Sequence, residues 1–532
     1  MALAAPPMNT YDELPYESHP YAQTHPSRLA VVATLFGLKP PAVETGRVLE
    51  LGSAAGGNFL SIAEAFPKSQ WVGIDLSQRQ VDEGQRLINK LGLKNVVLRH
   101  ASILDVDDSY GQFDYIVAHG VFSWVPTDVR EKILEICSRR LAPHGVAYIS
   151  YNTFPGWHMR GMIRDMMVFH SSRFTEARQR VQQARALLDF LATSVRQEGP
   201  YSSLLKTELE SIRNQSDNYL YHEHLEHVND PVYFHQFVSM ARKHGLRYLG
   251  EARLPTMVTG NFGPEVQKTL KTLAPDQIQT EQYMDFLRNR MFRETLLVHE
   301  TNVPNWTIEP KNLRTLFVVA NGKPAGKTEP NIESEEPEQY QTRSGMTLST
   351  NRPLLKAAMK VLGLRWPGTT PFDELRREAR ILLGGNPDDA ALAEEDAKTL
   401  SLGLVNTYIS SDLIELYAVS IPVSREPGEK PNVLASARER VAAGATSVAN
   451  RRHELVRLTD LDLRLLPLLD GTLDRKAILE ALVQKALGGD LRVQKDGTPQ
   501  TTEADVRAAL SSVLDSALNN IAAQSLLVAP GS

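Results

Sequence analysis

Glu50-Leu51-Gly52-Ser53-Ala54-Ala55-Gly56-Gly57 places a carboxylate two residues ahead of a run of small residues. Runs of this kind let a backbone approach a ligand closely. The spacing Gly52-x-Ala54-x-x-Gly57 approximates G-x-G-x-x-G, the loop that cradles a pyrophosphate at a helix N-terminus. A P-loop is excluded, because no Lys-Ser/Thr closes the run. Glu50 weighs on which ligand remains. A carboxylate beside the loop would repel a pyrophosphate and attract a cation.

A ligand carrying both an ammonium and a sulfonium meets that requirement. S-adenosylmethionine is such a ligand, with S-adenosylhomocysteine as its product, and E-x-G-x-(G/A)-x-G is the loop that binds it. On this reading Glu50, Gly52, Ala54, Gly56 and Asn58 surround its methionine part. Asp75 in "GIDLS" is placed to accept hydrogen bonds from both ribose hydroxyls, with Leu76 beside it. An acid there would serve NAD equally well. Ser102 and Ile103 in "HASILDV" would flank adenine, with Asp105 as a possible acidic substitute. His119, Gly120 and Val121 follow the next apolar run and offer backbone contacts to the methionine end. The competing reading is structural. Gly56 and Gly57 could serve close helix–sheet packing, and Asp75 could begin a helix.

These residues need a frame. Apolar runs "RVLEL" (47–51), "WVGID" (71–75), "NVVLRH" (95–100), "FDYIVAH" (113–119) and "VAYISY" (146–151) alternate with helical stretches. Ser77 and Gln80 make a capping-box start for one helix. That alternation predicts an α/β fold with a Rossmann-like, doubly wound parallel sheet. Such sheets bind ligands at the carboxyl ends of their strands, where every candidate above falls. Beyond about 160 the pattern becomes helical, with amphipathic stretches at 161–196 and 230–245. "GKPAGKTEPNIESEEPEQYQTRSG" (322–345) reads as an acidic linker or exposed loop, and "PVSREPGEKP" as a second break. The expected domains are a lead (1–46), a cofactor-binding domain (47–165), a helical middle domain (166–321), a linker (322–350) and a winged-helix-like region (351–532).

The whole chain narrows the function classes. At 532 residues it exceeds a single ordinary core. A net charge of −5 gives no global pull toward nucleic acid, and residues 431–532 carry equal numbers of basic and acidic side chains. The single cysteine, Cys137, excludes an intramolecular disulfide framework and sits at apolar helix spacing. No basic-then-apolar leader opens the chain, and no run approaches 18 apolar residues. The expectation is a cytoplasmic protein without stable membrane insertion and without a nucleic-acid partner.

Several longer segments are more specific. They are "YDELPYESHPYAQTHPSRLA", "LELGSAAGGNF", "GIDLSQRQ", "FDYIVAHGVFSWVP", "SYNTFPGWHMRGMIRDMM", "YLYHEHLEHVNDPVYFHQFVSMARKHGLRYLGEA" (219–252) and "LLDGTLDR" (468–475). In these the chain resembles class I S-adenosylmethionine-dependent methyltransferases that carry a methyltransferase regulatory domain, the group of the rickettsial-type protein-lysine methyltransferases. The resemblance spans nearly the whole chain, most strongly 10–260. It implies a Rossmann-like catalytic domain, a helical regulatory domain, a C-terminal winged-helix-like domain and a homodimer. It also implies a protein lysine acceptor, with outer-membrane protein as the substrate type.

Methyl transfer from a sulfonium is an in-line displacement, so the enzyme aligns the reactants and excludes water. A lysine acceptor must also lose its proton. The aromatic segments after strands four and five, Phe122 and Trp124, then Tyr151, Phe154 and Trp157, with Asn152 among them, are the expected acceptor channel. His119 is a possible base or a satisfied core histidine. "YHEHLEH" (221–227) is not H-E-x-x-H, because Glu226 stands where the second histidine should. No metal is expected there. The segment is instead expected to reach into the cleft with His222 or Glu223 lining it, the competing reading being a solvated polar loop. Two other functions fit the same cofactor loop: a small-molecule N- or O-methyltransferase, and a cofactor-binding interaction module without turnover.

Overall fold

The computed structural model describes residues 18–326, 329–495 and 498–529. The first residues of the "YDELPYESHP" segment, up to 17, lie outside the described residues. Five strands follow the alternation: β1 (Arg47–Leu51), β2 (Gln70–Asp75), β3 (Val96–His100), β4 (Phe113–Ala118) and β5 (Leu141–Asn152). All pair in parallel. Two more strands, β6 (Leu246–Glu251) and β7 (Phe292–His299), complete the sheet in the order β3-β2-β1-β4-β5-β7-β6. β7 is antiparallel to both of its neighbours.

Side chains alternate between the faces of this sheet, and both faces are covered. Val48, Tyr115, Val117, Val146 and Tyr148 enter one core, while Leu49, Leu51, Ile116, Ala147 and Ile149 enter the other. Strands buried on both sides read as continuous apolar runs, which is why the first five were visible in the sequence.

β6 and β7 arise from residues read as helical, so the sheet extends past the boundary expected at 165. Their disguise is ionic. Arg293, fully buried on β7, hydrogen-bonds Asp285 (2.8 and 2.9 Å), Glu251 (3.0 Å) and Glu281 (3.1 Å). A strand whose interior carries paired charges does not show an apolar pattern.

The segment read as a linker is also folded. Glu338–Gln341 and Thr347–Thr350 form an antiparallel hairpin with Tyr340 buried. The buried Lys356 ammonium donates to the carbonyls of Ser334 (2.7 Å) and Asn331 (3.3 Å), just ahead of the hairpin. Acidic composition suggested exposure, but the backbone carbonyls, not the acids, hold this lysine.

Helices between Gly156 and His224 pack around their own core of Ile163, Met167, Val181, Leu188, Leu205 and Leu220. Residues 353–421 pack onto the same core as the sheet and the Pro26–Leu35 helix. Val433 to Leu527 enclose a separate C-terminal core, with a two-stranded hairpin, Ser447–Ala449 and Leu455–Arg457. Among the described residues no helix is long and apolar enough to cross a membrane.

Candidate active site

Strand order reverses between β1 and β4, so the chains leaving these two strands diverge and open a crevice. A cavity of about 400 Å³ occupies it. Glu50, Gly52, Ala54 and Asn58 line it from the β1 side, Asp75, Leu76, Ser102 and Ile103 from the ends of β2 and β3, and His119, Gly120 and Val121 from β4.

The loop after β1 is built by its backbone. Gly52 and Ser53 both donate their N–H to the Ile74 carbonyl at 2.9 Å, tying the loop to the end of β2. Gly52 has φ +72°, and a Cβ there would lie 2.6 Å from Val121 Cγ2. Ala54, at the position of the missing middle glycine, also adopts a left-handed conformation, φ +49°. The backbone therefore keeps the shape a glycine would give, at a cost of about 1 kcal/mol. The Ala54 N–H donates to Asp75 Oδ2 and the Ser77 N–H to Asp75 Oδ1, each at 2.8 Å. Asp75 thus braces the loop, and ionised carboxylate oxygens retain further lone pairs for hydroxyl donors.

Glu50 is buried, and Asn58 Nδ2 donates to its Oε1 at 2.7 Å. Its Oε2 has no hydrogen-bond partner among the described residues. Burial raises the carboxyl to about 8, against the pull of the Asn58 hydrogen bond and with a smaller push from Asp75. A buried carboxylate oxygen facing a cavity without a donor fits a ligand's ammonium.

The other part of the cavity is lined by Trp124, Val125, Pro126 and Val129, by His222 and Glu223, and by Phe292 of β7. The Asp217–His224 helix brings His222 and Glu223 from the helical region; Ser216 Oγ caps it by accepting the Tyr219 N–H at 3.2 Å. Burial pushes the Glu223 carboxyl up to about 7, against Arg160 and His222. His222 Nδ1 lies 3.5 Å from Glu226 Oε2. His119 packs at a tilt against Tyr21, ring centroids 3.8 Å apart, and its Nδ1 is 2.9 Å from the Tyr148 hydroxyl. Burial, reinforced by Arg253, lowers its imidazole to about 3, so it is a neutral wall of the cavity.

Several expected site residues do not line the cavity. Tyr151 is buried in the second core, stacked on Phe237 with centroids 4.1 Å apart, its hydroxyl 3.2 Å from Thr295 Oγ1. Strand period places it with Ile149 and not with Tyr148 and Ser150. Asn152 ties β5 to a neighbouring loop: its N–H donates to Ser123 Oγ (2.9 Å) and its Nδ2 to Asn229 Oδ1 (3.0 Å). Gly56, at φ +78°, serves the turn of the loop. Of the aromatic channel only Trp124 reaches the cavity; Phe122 and Trp157 are buried behind it, Trp157 edge-on to Trp124 at 6.1 Å. Asp105 turns back to accept the Ser102 N–H at 3.1 Å and does not line the cavity.

Sequence reasoning missed Ser18, His19 and Tyr21, which close the cavity from the N-terminal side, together with Gln80 and Phe292. One signal was available. Gly57 donates its N–H to Ser18 Oγ at 2.7 Å, and a Cβ on it would lie 2.4 Å from the Ser18 carbonyl oxygen, so this glycine marks a close chain crossing.

Three families match this chain: a methyltransferase domain over residues 48–145, a predicted methyltransferase regulatory domain over 216–299, and the C-terminal winged helix domain of PKMT over 429–526. An uncharacterized protein of Rickettsia prowazekii, RP789, is 39% identical over 527 residues, covering 98% of this chain and 94% of the relative. The structure of PKMT2 from Rickettsia typhi aligns with a TM-score of 0.85 at 32% identity, over 96% of this chain and 100% of that one. The chain belongs to the same methyltransferase family as PKMT2. It is an S-adenosylmethionine-dependent methyltransferase. PKMT2 in complex with AdoHcy aligns equally well, with a TM-score of 0.84 at 32% identity over 97% of this chain and 100% of that one. The orphaned Glu50 oxygen and the loop braced by Asp75 fit that cofactor in this methyltransferase.

Proposed function

We propose that this methyltransferase transfers the methyl group to a lysine side chain of a protein. The observation that carries the proposal is Glu223, a carboxyl held near 7 in the same cavity as the cofactor loop. S-adenosylmethionine supplies, when bound, a methyl group activated on a sulfonium. Glu50 would hold its ammonium through Oε2, and Asp75 would accept hydrogen bonds from its ribose hydroxyls. On the acceptor side Trp124, Val125, Pro126 and Val129 form an apolar wall that disfavours a charged amine. Glu223 first attracts the lysine ammonium and then takes its proton, freeing a lone pair. A group poised near neutral pH suits that role.

The PKMT winged helix domain and the likeness to PKMT2 support a protein acceptor. The same reading has the enzyme working in the cytoplasm as a homodimer, with the exposed Phe169 and Phe190 of the helical region available to a second copy. The test is transfer from S-adenosylmethionine labelled in its methyl group into a cell extract, separated by size. Label in the protein fraction supports the proposal. Label confined to small molecules rejects it.

A further inference from the structure

The C-terminal domain reaches the cofactor loop with one side chain. His453 lies in the turn between the hairpin strands Ser447–Ala449 and Leu455–Arg457. It is buried, and its backbone is left-handed at φ +62°. Strain of this kind persists where the surroundings over-determine it. Its Nε2 lies 3.0 Å from Asn58 Oδ1, and its Nδ1 lies 3.3 Å from Ser61 Oγ.

The protonation pattern follows from the neighbours. The Tyr21 backbone N–H can only donate, and it points at one end of the Asn58 amide at 2.8 Å, so that end is Oδ1 and Nδ2 faces Glu50 Oε1 at 2.7 Å. Asn58 Oδ1 is then the acceptor facing His453, so Nε2 carries the hydrogen and Nδ1 accepts from the Ser61 hydroxyl. Burial, together with Arg28, keeps this imidazole neutral. The same Oδ1 also accepts the Tyr21 N–H at 2.8 Å, which with His453 fills its two lone pairs. Donors from the N-terminal segment and from the C-terminal domain therefore converge on one oxygen, and they orient the amide whose other end holds Glu50.

We infer that His453 is a positioning residue of the cofactor site: acting through Asn58, it aims the Glu50 carboxylate at the ligand's ammonium. The inference rests on the reading of Glu50 given above. It also assigns the C-terminal domain a part in cofactor binding that the separate core of that domain does not suggest.

Removing the imidazole should leave the domain docked, because other contacts hold it. Glu64 accepts the N–H groups of Ala435 (2.7 Å) and Ser436 (3.0 Å), and Arg440 donates to the Ser18 carbonyl (2.8 Å).

The test measures calorimetric affinity of the full chain for S-adenosylhomocysteine and for 5′-methylthioadenosine, which keeps the adenosine and lacks the ammonium. His453→Ala should weaken S-adenosylhomocysteine by about three- to tenfold, the span of one net hydrogen bond, and leave methylthioadenosine unchanged. His453→Gln, which keeps an N–H donor, should restore most of the loss. Unchanged S-adenosylhomocysteine affinity in His453→Ala, or an equal loss for both nucleosides, overturns the inference; the second result would make His453 a prop for the whole loop. Glu50→Gln serves as the reference. If it too binds S-adenosylhomocysteine like the wild type, the reading of Glu50 fails. If it is weakened and His453→Ala is not, the positioning role alone fails.

Discussion

The two parts of the cavity are built by different means. The cofactor part is made by consecutive strand ends, and its shape resides in backbone: Gly52 and Ala54 in left-handed conformations, N–H groups tied to Ile74 and Asp75. The part proposed to receive the acceptor is assembled from side chains carried by separate elements, Trp124 after β4, Glu223 on a helix of another core, Phe292 on the antiparallel β7. A binding loop shared across a superfamily can be fixed by a short local motif. A surface that distinguishes acceptors can instead be exchanged by redocking a helix.

That contrast can be broken by substitutions that should affect one part and spare the other. The largest effect is expected for Glu223→Gln. Turnover should fall about a hundredfold or more, the usual contribution of a positioned proton acceptor. S-adenosylhomocysteine affinity should stay within about twofold, since no cofactor contact is lost. Parallel losses in both would show that the parts are not separable. Glu50→Gln should do the reverse, weakening S-adenosylhomocysteine by about ten- to a hundredfold in titration calorimetry, as expected for a charge-assisted hydrogen bond.

A pH series sharpens the same contrast. Glu50 is raised to about 8 and must be ionised to accept an ammonium. Cofactor affinity should therefore rise with pH up to about 8, by up to about tenfold per unit below that value. Binding below pH 8 should release a proton, visible as buffer-dependent heat, and Glu50→Gln should abolish it. Turnover at saturating cofactor should instead rise with pH through about 7, where Glu223 loses its proton, and Glu223→Gln should flatten that limb. The smallest effect is expected for Tyr151→Phe, which removes a buried hydroxyl that does not line the cavity. Turnover should stay within about twofold, and chemical denaturation should show a loss of about 1 kcal/mol for the Thr295 hydrogen bond.

The same division explains what the sequence disclosed. Glu50, Gly52, Asp75 and the β4 end were legible because strand ends and small residues lie close together along the chain. Ala54 looked like a defect in the glycine pattern, yet its backbone adopts the glycine conformation. Tyr151 was misplaced by a single step of strand register, which moves a side chain to the opposite face. β7 was hidden because Arg293 and Glu294 interrupt its apolar run, and their partners lie on other elements. His222 and Glu223 could be named from their segment, but only the docked helix shows that they share a cavity with Glu50. Ser18 and His453 carried no local signature, because each acts across a contact between segments distant in sequence.

The central claim is that the acceptor is a lysine amine on a protein. It is tested most directly by presenting acceptor protein, untreated and exhaustively lysine-acetylated, with S-adenosylmethionine labelled in its methyl group. The account predicts base-stable label recovered as methyl-lysine from the untreated protein and none from the acetylated one. Label that survives acetylation, or that is released by mild base as an ester would be, would contradict it.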